Sequence, residues 1–130
     1  MILIVCVDDN NGMMFNKRRQ SRDSELIKRV ETLTEGKKLW TNEYSKPLFN
    51  REVNTDENFL NKAVENEFCF NETVSDITVI PQKVIIYKWN RKYPSDKKFS
   101  FDMSCMKLVS SFEFAGSSHE KITEEVYERM

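Results

Sequence analysis

Ile2-Leu3-Ile4-Val5-Cys6-Val7, followed by Asp8-Asp9-Asn10-Asn11-Gly12, decides the fold class. An unbroken aliphatic and β-branched run, with no polar residue alternating into it, is the pattern of a strand covered on both faces in the middle of a sheet. The Asp/Asn/Gly cluster behind it is turn chemistry. Asn10 and Asn11 therefore fall at the C-terminal edge of a central strand, where open α/β sheets present ligand-contacting groups.

Working outward, Ser21 or Asp23 caps a helix on which Leu26, Ile27, Val30 and Leu33 keep helical spacing, and Gly36 stops it. Residues 37–41 read as a second strand, so strand, helix and strand follow in the order of a right-handed parallel crossover. Thr55 or Asp56 is placed to cap a second helix carrying Phe59, Leu60, Ala63 and Val64 on one side, ahead of a third buried strand at residues 68–70. Residues 84–89 form a long strand closed by the turn Tyr93-Pro94-Ser95-Asp96. Leu108, Ser110, Phe112 and Phe114 then alternate with more polar neighbours, and after a break at residues 115–119, Ile122 and Val126 share a face. The pattern predicts one α/β domain over residues 1–130: a mainly parallel central sheet with flanking helices and an antiparallel C-terminal hairpin.

The chain has 130 residues, of which 39% are apolar, ample for one core of ordinary size. Its 20 Lys+Arg nearly balance 21 Asp+Glu, so no whole-molecule field draws it onto nucleic acid or anionic lipid. The longest apolar run is far shorter than a bilayer span and has no basic leader, so the expectation is a soluble, cytoplasmic protein without a membrane partner. Cys6, Cys69 and Cys105 predict free thiols rather than a disulfide framework. With His119 alone and no close Cys pair, the usual zinc ligand sets are missing, and no metal site is expected.

Set in order, these elements resemble the dihydrofolate reductase-like superfamily. The opening strand with its Asn11-Gly12 loop, and the helix from Asp23, resemble the reductase's first strand and its substrate-facing helix. Ile80-Pro81 before residues 84–87, then Tyr93-Pro94-Ser95-Asp96-Lys97-Lys98-Phe99 and the closing strands, are similar to its second half. Together these stretches cover about half the chain. The resemblance implies a small-molecule cleft, NADPH as the family's cofactor, and a carboxylate near the start of the first helix, matched by Glu25 or, in a shifted alignment, Asp23. The departures are specific. Where the family holds cofactor phosphate with Gly-Arg-x-Thr/Ser, this chain has Asn42-Glu43-Tyr44-Ser45, keeping only the hydroxyl of Ser45. Glu43 would set a negative charge beside a phosphate, which Coulomb's law disfavours. The family's paired glycines are replaced by Phe70-Asn71-Glu72, whose side chains intrude where backbone should approach. Standard NADPH chemistry is therefore not expected, and the cofactor stays open.

Residues 15–40 hold eight Lys/Arg and four Asp/Glu, against three and eight in residues 43–76. Lys17, Arg18, Arg19 and Arg22 precede a helix N-terminus, whose free N–H groups already favour an anion. The expected ligand site gathers Asn10, Asn11, Arg18, Arg19 and Arg22 with Trp40, Tyr44 and Ser45, and takes a small anionic or nucleotide-like molecule. Trp40, Tyr44 and Trp89 are candidates to stack on a planar ring. Glu25 is the candidate catalytic carboxylate, a role that would require burial to raise its pKa. The bland readings stand beside these: a solvated basic loop, a carboxylate at home in a first helical turn, and aromatics packed in the core. Ser117-Ser118-His119 holds a hydroxyl and an imidazole, but adjacency does not make a nucleophile and its base converge, and it reads as a polar hairpin connection. Two other functions fit the same residues: an interaction module recognising a protein through a strand edge or the acidic segment 52–76, and a reductase with altered cofactor contacts. Basic residues not interleaved with aromatics in a recognised motif argue against RNA.

Overall fold

The computed structural model describes all 130 residues. Its strands are β1 (Ile2–Val7), β2 (Gly12–Phe15), β3 (Arg18–Arg19), β4 (Leu39–Thr41), β5 (Asn54–Thr55), β6 (Phe68–Asn71), β7 (Lys83–Lys88), β8 (Lys97–Lys98), β9 (Met106–Phe114) and β10 (Ile122–Arg129), with helices α1 (Ser24–Leu33) and α2 (Phe59–Lys62). Seven strands form one sheet in the order β5-β4-β6-β1-β7-β10-β9. β1 lies in the middle and pairs in parallel with β6 (Ile4 opposite Phe70) and with β7 (Ile4 opposite Ile85). β10 runs antiparallel to both β7 and β9, completing the expected C-terminal hairpin.

Burial on both faces explains why β1 is apolar at every position. Ile2 and Ile4 pack with Phe70, Ile85 and Tyr87 beneath Leu26, Ile27 and Val30 of α1. Leu3, Val5 and Val7 pack on the other side with Met13, Met14, Val84, Ile86 and Phe99. Asp23 caps α1, its carboxylate accepting from the N–H of Glu25 and of Leu26. At the other end Arg51 donates to the carbonyls of Thr34 and Lys37, supplying donors to the unpaired helix C-terminus. Arg29 of α1 and the hydroxyl of Tyr87 both donate to the buried carboxylate of Glu124, tying the helix to the hairpin. Burial and that carboxylate push the phenol of Tyr87 far above its ordinary pKa.

Three expectations need correction. The helix expected from Phe59 to Val64 is one turn long: Ala63 is extended, Val64 is exposed, and Thr55 belongs to β5 rather than to a cap. The helical cover of the sheet is correspondingly thin. The second face is closed instead by a small sheet, β3-β2-β8, whose β3 lies in the basic stretch, Lys17 to Arg22, that reads as a loop in the sequence. Its β2–β3 hairpin turns on Asn16 (φ 53) and Lys17 (φ 63), the paired left-handed residues that match the twist of two antiparallel strands. Finally, β9 is an edge strand exposed along most of its length, so Leu108 and Phe112 face solvent rather than a core. A bulge opposite Val126 and Tyr127 interrupts its pairing, a device that blunts sheet edges. All three cysteines are free. No helix is long and apolar enough to cross a membrane.

Because Leu3 is fully buried in a strand paired on both sides, truncating it leaves a void the sheet cannot close. Leu3→Ala is expected to cost about 3 kcal/mol of unfolding free energy, read as a lower urea midpoint at unchanged slope.

Candidate functional site

The parallel strands β1, β4, β6 and β7 all end on one side of the sheet, and β10 begins there, since Thr123 pairs with Lys88. At the end of β1 the buried carboxylate of Asp8 gathers three segments. It accepts from the N–H of Asn10 and Gly12 (2.9 and 2.7 Å), from the N–H of Tyr93 (2.9 Å) and from the amide of Gln20 (3.2 Å). Burial opposes ionisation, but the N–H groups of Tyr93, Gly12 and Asn10 outweigh it and hold this carboxyl below its ordinary range. Asn10 is an exposed turn residue, and Asn11 (φ 64) spends its side-chain amide on the carbonyl of Phe99.

Only part of the expected ligand set converges. Arg19 makes a two-pronged ion pair with Glu72 (2.9 and 3.1 Å), and its guanidinium lies 4.5 Å over the ring of Tyr44. The hydroxyl of Ser45 donates to the same Glu72 carboxylate at 2.6 Å. Arg19, Tyr44 and Ser45 thus do meet, around a carboxylate that neutralises the arginine. Burial works against the charge on Arg19, and Glu72 outweighs it, raising its pKa. Arg18 and Arg22 are exposed and stay apart from this cluster. Trp40 lies elsewhere, its indole N–H donating to Glu67 near the start of β6. Trp89 is buried against His119. Glu25, half-buried on the first turn of α1, pairs with Lys28 at 3.5 Å, and the cleft described next does not include it. The buried carboxylate at the head of α1 is Asp23.

Beside the Arg19–Glu72 pair, past the ends of β4 and β6, opens a cleft of about 340 Å³. Asn42, Tyr44 and Thr73 supply its floor, Met14 an apolar wall, and Lys17 and Lys97 its positive charge. Lys97 donates to the carbonyl of Thr73 at 2.7 Å, and Asn42 donates to the hydroxyl of Thr73 at 2.9 Å. Neither Lys17 nor Lys97 belongs to an ion pair. Glu57 and Asp96 line the cleft as well, each carboxylate accepting from a backbone N–H, of Glu43 and Asn16 respectively. Lys17 stands in the basic stretch before α1 and Lys97 in the turn stretch after β7, and with 80 residues between them nothing in the sequence joins the two as a pair.

A second cluster occupies the β7–β10 side of the same sheet edge. Asp23, capping α1, also accepts from the N–H of Ser117 and Ser118, both at 2.9 Å, and from His119 Nδ1 at 2.9 Å. Gly116 makes the close approach possible, since a Cβ there would collide with the Asp23 carboxylate. His119 is therefore far more than part of a polar connection: it is buried, stacked on Trp89 with ring centroids 4.5 Å apart, and its Nε2 meets the hydroxyls of Ser21 (3.0 Å) and Tyr93 (2.8 Å). Burial again opposes the charge on Asp23, and the donors from Ser117, His119 and Ser118 outweigh it, holding the carboxyl well below the usual range.

No protein-family model matches the chain, and no curated protein does. Among solved structures it is similar to dihydrofolate reductase from Enterococcus faecalis complexed with NADP(H) and RAB-propyl, with a TM-score of 0.70 at 14% identity, covering 98% of this chain and 95% of that chain. The chain has a dihydrofolate reductase-like fold.

The depressed carboxyls give the pH dependence its sign. Asp23 and Asp8 titrate lower when folded than in an unfolded chain, where an aspartate titrates near ~4. The unfolded state thus binds more protons in that acid range, so their stabilisation is complete above about pH 4 and is lost as pH falls below it. Asp23→Asn should be less stable than wild type at pH 7, and its urea midpoint should fall less between pH 7 and pH 3.

Proposed function

We propose that this is a cytoplasmic ligand-binding protein on a reductase-type scaffold, and that the cleft between Lys17, Tyr44 and Lys97 takes a small anionic or nucleotide-like molecule. The observation that carries the reading is the pair of lysines without carboxylate partners, facing neutral donors at the edge where parallel sheets bind their ligands. Tyr44 offers a half-exposed ring for a planar group. The volume lies at the lower end of the roughly 300–1,000 Å³ usual for small-molecule sites, which suits a mononucleotide better than a dinucleotide.

The residues do not fit the pyrophosphate of NADPH. Phosphate is ordinarily held on a helix N-terminus reached across glycine. Here β4 runs into a single 3-10 turn, Lys46–Leu48, and β6 into an irregular segment. At the end of β6 stand Asn71, whose side chain bridges to Val74, and the Glu72 carboxylate, so an incoming phosphate meets negative charge. The nearest guanidinium, Arg19, is committed to that carboxylate. We therefore infer binding without standard nicotinamide-dependent reduction, and without a proton-transfer role for Glu25.

Isothermal titration calorimetry with nucleoside 5′-monophosphates tests the reading, with NADPH binding no tighter than the monophosphate. Lys17→Gly and Lys97→Met should each weaken monophosphate binding about tenfold, the scale of one lost charge-assisted contact. Lys17 sits in the left-handed region, so Lys17→Gly should at the same time hold or raise the melting temperature. Absence of heat with every nucleotide, or unchanged affinity in both variants, would reject the proposal.

A further inference from the structure

The cluster around His119 contains more than a latch between the hairpin and α1. Asp23 ionised can only accept, so His119 Nδ1 donates to it, and in the neutral imidazole the Nε2 lone pair faces two hydroxyls, Tyr93 at 2.8 Å and Ser21 at 3.0 Å. The imidazole is held on one side by the Asp23 carboxylate and on its face by the Trp89 indole, at 22° to parallel. Its side chain and that of Asp23 are essentially solvent-free, whereas Ser21 is only half-buried. A hydroxyl, a base in hydrogen-bond reach of it, and a buried carboxylate fixing the tautomer of the base are the parts of an activated serine nucleophile. Tyr93 contributes a fourth: its O–H lies 3.4 Å from Ser21 Oγ and 2.8 Å from Nε2.

Tyr93, whose O–H lies 3.4 Å from Ser21 Oγ, and Gln20, the residue before Ser21, line a hollow of about 290 Å³ together with Phe15, Arg18 and Arg19. One buried side-chain polar atom in the molecule has no partner, and it is the amide oxygen of Gln20. Its amide nitrogen is bound to Asp8 and to the carbonyl of Pro94, which fixes the orientation and leaves that oxygen as a free acceptor. A buried acceptor of this kind is ordinarily met by a donor, an ordered water included.

We propose that Ser21, His119 and Asp23 form an acyl-transfer site that hydrolyses small carboxylic esters in the Tyr93–Gln20 hollow. Ser21 Oγ attacks the ester carbonyl carbon while its proton passes to His119 Nε2. The carbon–oxygen bond to the leaving alcohol breaks as the imidazolium returns that proton to the alcohol oxygen. Water then attacks the acyl carbon, with His119 again taking and returning a proton, and the carboxylic acid leaves with Ser21 restored. Once Nε2 is protonated it no longer accepts from Tyr93, whose O–H is then free to donate to the oxyanion of either tetrahedral intermediate. Ser21 and His119 are catalytic residues, and Asp23 is a positioning residue acting through the imidazole. The site shares no side chain with the lysine cleft, so its test is independent of nucleotide binding.

The full chain is incubated with p-nitrophenyl acetate, and separately with a fluorophosphonate probe followed by peptide mass spectrometry. The expected results are nitrophenolate release well above the buffer rate, a phosphonyl group on the peptide containing Ser21, and loss of both in Ser21→Ala. That variant removes one half-exposed hydroxyl, and its melting temperature reports whether it is folded. In Asp23→Asn, kcat per folded molecule, with the folded fraction read by circular dichroism on the same sample, should fall by orders of magnitude and its pH–rate profile should shift, a shift that loss of folded protein would not produce. No release and no label in the folded wild type, or undiminished release from Ser21→Ala, would overturn the assignment.

Discussion

The structure depends on β1 being hydrogen-bonded on both edges and covered on both faces. A strand in that position can carry no polar side chain along its length, so its first polar residues fall together where it leaves the sheet. Asp8 is the first of them. Its carboxylate satisfies N–H groups from its own turn and from the segment after β7, and it orients Gln20. With β4 and β6 ending alongside, this one edge collects nearly all the buried polar chemistry of the chain. That concentration follows from parallel pairing itself, because antiparallel strands would distribute their ends to both sides.

What the edge can bind is then decided by Glu72. A glycine at the end of β6 would leave backbone open to a phosphate. Glu72 instead draws Arg19 and Ser45 inward into a closed network, and Tyr44 covers the guanidinium. Two consequences oppose each other. The arginine the sequence would offer to an anion is spent inside the protein, while the hairpin carrying it is anchored so that Lys17 is held at the mouth of the cleft in a left-handed turn. Non-glycine residues in that region cost about 1–2 kcal/mol, and the expense is tolerated here because the Arg19 anchor and the β2–β8 pairing fix the hairpin on both sides.

The parts of this fold that were legible in the sequence are those whose signal is local. The aliphatic run of β1, the helical spacing and Asp23 cap of α1, the buried run of β6 and the long β7 each announce themselves within a few residues. The β2–β3–β8 sheet was not legible, because four- and two-residue strands have no period to detect and Asn16-Lys17 lacks the glycine that marks a two-residue hairpin. The helix expected after Asp56 stops after one turn because its apolar residues do not share a buried face: Phe59 is fully buried, Leu60 half-buried and Val64 exposed, and Ala63 is already extended. At the site, Tyr44, Ser45 and Arg19 lie together, but around Glu72, which stands 53 residues from Arg19 and which no local signal joins to it. Asp23 and His119, 96 residues apart, pair through tertiary structure alone. Reading Glu25 as the carboxylate of interest confused a half-buried first-turn residue with the buried cap two positions earlier.

In the proposed site an anion is held by Lys17 and Lys97 while Arg19 stays bound to Glu72. Nitrogen-resolved NMR during a titration with a nucleoside monophosphate tests it most directly, because backbone amides and the arginine side-chain N–H are read in one spectrum. The account predicts saturable shifts at Lys17, Tyr44, Thr73 and Lys97, with the Arg19 Nε–H signal unmoved. Saturable movement of Arg19 Nε–H with silent lysine-cleft amides would show that the arginine is the anion site and that Glu72 does not close it.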